Sequence, residues 1–265
     1  MNEIENGNER LGSDRPARVA VVTGGANGIG EQVVRQLSGK GGYRTVIADL
    51  NETAAADLAA ELNSAGAEVR AIPLDVSSTA SINAFYTRLE ATFGRCDALV
   101  NSAGIAKLAS FEAFPLDLWH AMLAINLTGP MLMVQGAVPL MKRNGWGRVV
   151  NGTSVSGLRT SVGRTGYGTS KSALTGLTRQ MAIELAPIGI TVNAVAPGPV
   201  DTAMAEMHSA KTRESYLKMV PMGRYATPAE VASAIAFLCS DEAAFITGTS
   251  IPVDGGYLAA GVLEA

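Results

Sequence analysis

The chain has 265 residues, of which 47% are hydrophobic and 17% charged, and its formal net charge is −3 at pH 7. A chain of this length buries about three quarters of its unfolded surface, so it needs no disulfide or metal to hold a core. The composition excludes a disordered chain and a disulfide scaffold. The balance of 24 acidic against 21 basic residues leaves no basic excess for nucleic-acid binding.

Residues 1–15 are polar and are expected to form a flexible N-terminal tail, followed by a single domain over residues 16–265. The tail lacks the basic and apolar regions of a secretory signal. No apolar run of about 18 residues is visible, so no membrane partner is expected. Two cysteines, Cys96 and Cys239, and only two histidines favour a reducing, cytoplasmic location and argue against a metal site.

Short apolar segments alternate with longer segments of helical pattern along the chain. The predicted strands are 18–23, 45–48, 69–74, 98–101, 148–152, 190–195 and 250–253. The predicted helices are 28–38, 52–65, 78–93, 116–143, 168–186 and 228–239. Most strands are apolar at consecutive positions, which is typical of parallel strands covered on both faces. The pattern predicts an α/β domain with a doubly wound, seven-stranded parallel sheet and helices on both faces.

A glycine-rich turn, TGGANGIG over residues 23–30, joins the first strand to the first helix. Its glycines allow the tight turn, let the backbone approach a pyrophosphate, and let helix and strand pack closely. The helix N-terminus adds free amides and partial positive charge. A P-loop is excluded because no Lys-Ser or Lys-Thr pair follows the last glycine. The residues predicted to hold a dinucleotide here are Gly24, Asn27, Gly28, Ile29 and Gly30.

Asp49 ends the second strand about twenty residues past the glycine turn, where an acid accepts hydrogen bonds from both hydroxyls of an adenosine ribose. Its carboxylate would repel a 2′-phosphate, and the following Leu50 and Asn51 supply no cation. The preferred cofactor is therefore predicted to be NAD(H) and not NADP(H). The alternative for Asp49 is a helix cap. Asp75 and Val76 end the third strand and are expected to border the adenine.

Ser154 follows the fifth strand, and Tyr167 and Lys171 lie four positions apart in the next helix, so they share a face. The ordinary pKa of tyrosine, about 10, is too high for a base at neutral pH. A nearby ammonium would favour the phenolate, lower that pKa, and make Tyr167 a general acid or base. Taken alone, Tyr-x-x-x-Lys is usually a solvated helix face and Ser154 a turn residue.

In this order the glycine turn, the acid, Ser154 and Tyr-x-x-x-Lys resemble the short-chain dehydrogenase/reductase family, from about residue 17 to residue 258. NSAG at 101–104, PG at 197–198 and IPVDGG at 251–256 are further matches. The resemblance implies a single-domain Rossmann fold. It also implies a catalytic tetrad made of Asn126, Ser154, Tyr167 and Lys171.

In that family the residue matching Lys171 also holds the nicotinamide ribose, and the residue matching Asn126 orders a proton-relaying water. The backbone at Val200 and the hydroxyl of Thr202 would hold the carboxamide. The further cofactor residues that the resemblance implies are Asn101, Ala103, Gly104, Tyr167, Lys171, Pro197, Gly198, Val200 and Thr202. Ser102 replaces the second Asn of the usual Asn-Asn-Ala-Gly motif, which leaves the tetrad intact.

The predicted function is reversible hydride transfer between a nicotinamide and a secondary alcohol or ketone: a sugar, a polyol or a small hydroxy compound. A 3-oxoacyl-carrier-protein reductase is an alternative, disfavoured because family members of that type typically prefer NADPH. An NAD(H)-sensing binding protein on the same fold is an alternative of another class. A serine hydrolase is disfavoured because GTSVS at 152–156 misses the G-x-S-x-G pattern and only His208 would serve it.

The segment 196–225, with a short predicted helix over 203–219, follows a late strand and is expected to form a substrate lid. Its methionines either adapt to an apolar substrate or pack on the core. The residues predicted to contact a small-molecule substrate are Ser156, Arg164 and Met204. Arg164 either binds a carboxylate or phosphate or is a solvated loop charge.

Two long helices, 116–143 and 168–186, carry more apolar surface than one face of a sheet can hide. In the resembled family the matching helices pair across two-fold axes. A homotetramer or dimer is therefore expected.

Overall fold

The computed structural model describes residues 17–39, 41–206 and 209–261. The predictions made for the tail, Met207 and His208 lie outside the described residues. The strands in the described part are β1 Val19–Thr23, β2 Arg44–Asp49, β3 Val69–Pro73, β4 Ala98–Asn101, β5 Gly147–Gly152, β6 Ile190–Pro197 and β7 Ser250–Val253. The α-helices there are α1 Gly28–Ser38, α2 Glu52–Ser64, α3 Thr79–Phe93, α4 Leu116–Leu123, α5 Gly129–Asn144, α6 Thr165–Leu185, α7 Ala203–Glu206, α8 Ala210–Met219 and α9 Pro228–Leu238.

The described strands form one parallel sheet in the order β3-β2-β1-β4-β5-β6-β7. The chain winds outward from β1 in one direction and, after β3, crosses back to β4 on the other side. Thr23 at the end of β1 lies opposite both Ala48 of β2 and Asn101 of β4. Such a reversal opens a crevice at the carboxyl ends of the strands. The predicted doubly wound Rossmann-type fold is confirmed.

The core is divided by the sheet into two apolar layers. Ala20 and Val22 of β1 pack with α1, α2 and α9 on one face. Val19 and Val21 pack with α3, α5 and α6 on the other. All five residues of β1 are buried, which explains why the strand is apolar at consecutive positions.

The long predicted helix 116–143 is interrupted by a wider, π-helical turn at Ala124–Thr128 between α4 and α5. Leu116–Asn144 is apolar and long enough to cross a membrane by length and composition alone. In the fold this stretch contacts α3, β4, β5 and α6, and 39% of its most apolar run of 18 residues is buried within the chain.

The single helix predicted over 203–219 is wrong, because the structure contains α7 and α8 instead. Ser209 starts the second helix: its backbone is extended and its side chain accepts a hydrogen bond from the amide of Thr212. The ends of the segment 196–225 are held together by a parallel bridge between Val200 and Ala226. The amide of Ala226 donates to Pro199 O at 3.0 Å, and the amide of Asp201 donates to Ala226 O at 2.9 Å.

Candidate active site

A cleft of about 820 Å³ lies at the carboxyl ends of the strands. Its walls come from the glycine turn, the ends of β2 to β6, the start of α6, and the segment 196–225. Among the predicted site residues, those that line it are Gly24, Asn27, Gly28, Ile29, Gly30, Asp49, Asp75, Val76, Ala103, Gly104, Ser154, Ser156, Arg164, Tyr167, Lys171, Pro197, Gly198, Val200, Thr202 and Met204. Asn101 and Asn126 are not among its lining residues.

The glycine turn is packed so tightly that side chains are excluded from it. A Cβ on Gly30 would stand 2.0 Å from the carbonyl oxygen of Gly24, and one on Gly24 would stand 2.8 Å from Ala103 Cα. Gly24 and Gly28 have φ angles of 64° and 55°, which are readily adopted only by glycine. The first amides of α1 have no partner within the helix, and they border the cleft. This arrangement fits a pyrophosphate.

Asp49 is oriented by the turn and does not cap α2. One carboxylate oxygen accepts from the amide of Ala26 at 3.0 Å and the other from the amide of Asn51 at 2.9 Å. Asn51 itself caps α2 by accepting from the amide of Ala54. The cap alternative for Asp49 is therefore wrong, and Asp49 lines the end of the cleft where the adenosine is expected, the adenosine end.

Asn101 is buried in β4 beneath the floor of the cleft. Its side-chain amide donates to Asn151 Oδ1 at 2.9 Å, and the Asn151 amide donates in turn to Thr178 on α6. The cleft wall is formed by the next residues along, whose backbone is held by Thr23: the amides of Ser102 and Ala103 both donate to its hydroxyl at 3.2 Å. Sequence reasoning missed Thr23, although it opens the TGG motif.

Ser154 and Tyr167 lie near each other, close enough for the Ser154 hydroxyl to act on the pKa of the phenol. Ser154 also accepts from the amide of Ser156 at 3.1 Å, which fixes its side chain at the end of β5. Burial raises the pKa of Tyr167, while the neighbouring Ser154 hydroxyl and the charge of Arg164 act to lower it. The predicted net decrease is wrong for this phenol, because desolvation of the phenolate is the larger effect.

Lys171 is buried one helical turn from Tyr167, with Nζ 5.8 Å from the centroid of the tyrosine ring. Its ammonium donates to the carbonyl oxygen of Gly152 at 2.7 Å. Burial lowers the pKa of Lys171 to about 8. The predicted shared face of Tyr167 and Lys171 is present, and both side chains border the cleft.

Asn126 is fully buried in the π-helical turn, behind the wall of the cleft. Its Oδ1 accepts from the amide of Ile105, and its Nδ2 donates to the carbonyl of Ile105, both at 2.9 Å. Nδ2 also donates to Ser170 Oγ, which donates to the carbonyl of Tyr167 at 2.8 Å. Asn126 therefore ties the wall at Ile105 to the helix that carries the phenol. Ser170, within the Tyr-Gly-Thr-Ser-Lys run, was missed.

Thr202, one of the two predicted carboxamide residues, lies close to the glycine turn. A Cβ on Gly28 would stand 3.6 Å from Thr202 Cγ2, so Thr202 faces that turn. The corner at Gly198 is held by the last motif of the chain: its amide donates to Val253 O, and a Cβ on Gly198 would stand 2.8 Å from Asp254 Cα.

Two loops meet at the end of the cleft that holds Tyr167 and Lys171, the catalytic end. The amide of Ala109 donates to Gly163 O at 3.2 Å, which brings Lys107 and Leu108 towards Arg164. Ser156, Arg164 and Met204 line the cleft, and their contact with a substrate stays a prediction. Lys107, Leu108 and Tyr216 also line it and were missed, because their loop and helix carry no motif.

The family model described as enoyl-(acyl carrier protein) reductase matches residues 24–258. The chain is 40% identical over 250 residues to the cis-4-hydroxycyclohexanecarboxylate dehydrogenase of Sinomonas cyclohexanicum, covering 94% of this chain and all of that protein. It is 36% identical over 239 residues to a 3-oxoacyl-[acyl-carrier-protein] reductase of Aquifex aeolicus (strain VF5), covering 90% of this chain and 96% of that one.

Among solved structures, a gluconate 5-dehydrogenase from Burkholderia cenocepacia J2315 in complex with NADP and tartrate superposes with a TM-score of 0.89 at 33% identity. The match covers 93% of this chain and 98% of that one. Likeness of this extent, in both sequence and fold, shows that the chain belongs to the short-chain dehydrogenase/reductase family and is an oxidoreductase acting on CH–OH groups.

Proposed function

We propose that the chain transfers hydride between NAD(H) and a secondary alcohol or ketone, with Tyr167 as general acid and base. The observation that carries this proposal is that Ser154, Tyr167 and Lys171 border one cleft with a glycine turn shaped for a pyrophosphate. When bound, the nicotinamide supplies or accepts the hydride. The protein supplies position, hydrogen bonds and the proton.

In reduction, the hydroxyl of Tyr167 donates its proton to the carbonyl oxygen, and Ser154 donates a hydrogen bond to the same oxygen as its negative charge develops. In oxidation, the phenolate accepts the proton. Burial raises the pKa of Tyr167, so the phenol is protonated at neutral pH. We therefore expect ketone reduction at neutral pH and alcohol oxidation that quickens as the pH rises.

NAD(H) is the proposed preferred cofactor because Asp49 presents a carboxylate at the adenosine end, fixed by the amides of Ala26 and Asn51. A 2′-phosphate brought to this carboxylate meets like charge. No Lys or Arg among the described lining residues stands beside Asp49: Leu50 follows it, and Lys107, Arg164 and Lys171 line other parts of the cleft. The gluconate 5-dehydrogenase holds NADP, so the two cofactors need direct comparison.

The proposed substrates are sugars, polyols or small hydroxy compounds, in line with a 40% identical relative that acts on a hydroxycyclohexanecarboxylate. A second candidate is a 3-oxoacyl thioester, favoured by the 36% identity to a 3-oxoacyl-carrier-protein reductase. The hydrolase and sensor hypotheses gain no support from these relatives.

We also propose a homotetramer or dimer in the cytoplasm. More than half of the most apolar run of 18 residues in Leu116–Asn144 is not buried within the chain, and Ile183 on α6 is exposed. Burial of such surface is a common reason for subunit association. Both thiols, Cys96 and Cys239, are free and buried, as in proteins of reducing compartments. Light scattering that shows a monomer would contradict the assembly.

The test is a panel of ketones measured with NADH and NADPH side by side, and of the matching alcohols with the oxidised cofactors. It includes 4-oxocyclohexanecarboxylate, 5-ketogluconate, a neutral cyclic ketone and an acetoacetyl thioester. We expect turnover of at least one small ketone with NADH and a higher kcat/KM for NADH than for NADPH. Turnover of the thioester alone, with NADPH, would instead support the second candidate.

A further inference from the structure

The strongest unassigned feature of the cleft is the pair formed by Arg164 and Tyr216. Arg164 immediately precedes α6, lines the cleft and is half-buried. Its Cζ lies 5.4 Å from the centroid of the Tyr167 ring. Its carbonyl accepts from the amide of Gly168 at 2.7 Å, in the first turn of the helix that carries Tyr167. The backbone of Arg164 therefore keeps a fixed position relative to the phenol.

Tyr216 reaches the same place from α8. The Arg164 guanidinium donates to its hydroxyl at 3.5 Å. The ring of Tyr216 packs between Tyr257 and Tyr225, with centroid distances of 6.2 and 6.3 Å. The Arg164 guanidinium and the Tyr216 hydroxyl thus meet at one point in the cleft.

The charges along the cleft are segregated. The acids among its described lining residues, Asp49 and Asp75, lie at the adenosine end. The cations Lys107, Arg164 and Lys171 lie at the catalytic end. The positive charge at the catalytic end favours a substrate that is itself anionic. The charge of Arg164 reaches the reacting group, because it acts to lower the pKa of Tyr167.

Beside the hydroxyls of Ser154 and Ser156, this end is also lined by the apolar side chains of Leu108, Val155 and Met204. This combination suits an apolar carbon skeleton that ends in one compact anion. A guanidinium holds a carboxylate through two parallel hydrogen bonds. The short distance between Arg164 and Tyr167 places such a carboxylate a few carbon atoms from the reacting carbon.

We propose that Arg164 and Tyr216 bind a carboxylate of the substrate and so select secondary alcohols and ketones that carry one. The inference rests on the proposed function, since it concerns the substrate of that site. The two residues determine specificity and leave the hydride and proton steps to the groups already described.

The test compares 4-oxocyclohexanecarboxylate with its methyl ester as substrates for the wild type and for Arg164→Gln, Arg164→Lys and Tyr216→Phe. We expect Arg164→Gln to lower kcat/KM for the acid about 10- to 100-fold more than for the ester, mainly through KM. Arg164→Lys keeps the positive charge but cannot form two parallel hydrogen bonds to a carboxylate. We expect it to lower kcat/KM for the acid less than Arg164→Gln does. Tyr216→Phe is expected to lower kcat/KM for the acid a few-fold relative to that for the ester. Any effect of Arg164 on the pKa of Tyr167 changes the turnover of both substrates. The ratio of kcat/KM for the acid to that for the ester therefore reports the carboxylate contact.

Arg159 provides a matched control on the same loop. It is exposed, its Cζ lies 5.0 Å from the centroid of the Tyr257 ring, and it is not a lining residue of the cleft. Arg159→Gln is expected to leave the ratio of acid to ester unchanged. Equal losses on acid and ester in Arg164→Gln, or a ratio that falls as far in Arg159→Gln, would overturn the proposal.

Binding without turnover separates this inference from the proposed function. Calorimetry with cyclohexanecarboxylate and cyclohexanecarboxamide, added to the complex of the enzyme with NADH, should show acid binding that Arg164→Gln weakens at least tenfold. If the wild type binds the acid in this way but reduces no ketone, the carboxylate site stands and the proposed function fails. If it reduces the ester but binds the acid no better than the amide, the proposed function stands and the carboxylate site is overturned.

Discussion

At its adenosine end the cleft is built from backbone, whereas at its catalytic end it is built from buried ionisable side chains. The adenosine end depends on close approach: Gly24 and Gly30 leave no room for a Cβ, and Asp49 is held by two amides. The catalytic end places Tyr167 and Lys171 in the protein interior, and burial opposes the charged form of each.

This difference teaches where function and stability are coupled. At the adenosine end, the packing that folds the first βαβ unit is the same packing that shapes the cofactor site, so a substitution harms both together. At the catalytic end, burial of a charge opposes folding while it serves the chemistry, so a substitution there can remove activity and increase stability.

The largest expected effect is that of Tyr167→Phe. Loss of the phenol removes the proton donor, so kcat should fall about 10³-fold, within the range for general acid–base groups. The free energy of unfolding should not decrease by more than about 1 kcal/mol, because only one hydroxyl of a buried side chain is removed. Steady-state kinetics, NADH titration and urea unfolding measure the three quantities. Retained turnover would reject the role of Tyr167.

The coupling at the adenosine end is tested by Gly30→Ala. The new Cβ would stand 2.0 Å from the carbonyl oxygen of Gly24, so backbone must move. We expect a loss of about 3 kcal/mol in the free energy of unfolding together with weaker NADH binding. Gly176→Ala in α6 is the control, since nothing lies within 4 Å of its Cβ position, and it should be neutral or stabilising. Weaker NADH binding with an unchanged free energy of unfolding would contradict the coupling of function and stability at the adenosine end.

The opposite behaviour at the catalytic end is tested by Lys171→Met. The pKa of Lys171 is lowered to about 8 from 10.5, so between these values the unfolded chain binds more protons than the folded one. The free energy of unfolding of the wild type should therefore rise with pH across that window, by about 1–3 kcal/mol more than that of Lys171→Met. Lys218→Met, which removes an exposed ion pair with Glu214, should follow the wild type. Identical pH dependence in all three would contradict the burial argument.

The smallest expected effect is on cofactor choice. Asp49→Ser removes the carboxylate that is expected to face the ribose, and the ratio of kcat/KM for NADH to that for NADPH should fall about tenfold, equivalent to about 1.4 kcal/mol. Asp75→Asn is the control because its carboxylate accepts from the amide and hydroxyl of Ser77 and is expected to border the adenine. A ratio that moves equally in both variants would show that general charge, and not Asp49, sets the preference.

Sequence reasoning reached the parts of the site whose physical demand is local. The glycine turn, Asp49, Ser154 and the pair Tyr167–Lys171 follow one another in a set order at the ends of strands and on one helix, and this order indicates a role that no one of them indicates alone. The strands were predictable for the same reason, since burial on both faces leaves a continuous apolar run.

The rest of the site depends on contacts between distant segments. Asn101 was expected in the cleft, but its amide is taken by Asn151, 50 residues away. Tyr216 reaches the cleft only because α8 folds back over it. The raised pKa of Tyr167 follows from burial, and burial is a property of the assembled fold. The π-helical turn at Asn126 interrupts a helix whose sequence pattern continues unbroken.

The bridge between Val200 and Ala226 makes the intervening segment a closed loop on a finished sheet. Because its two ends are joined by this bridge, a change in the length of the segment carries only a small entropic cost. Such an arrangement lets evolution exchange the covering of the cleft while the cofactor turn and the phenol stay in place. For protein engineering, the segment from 201 to 225 is the natural unit for recombination between relatives that differ in substrate.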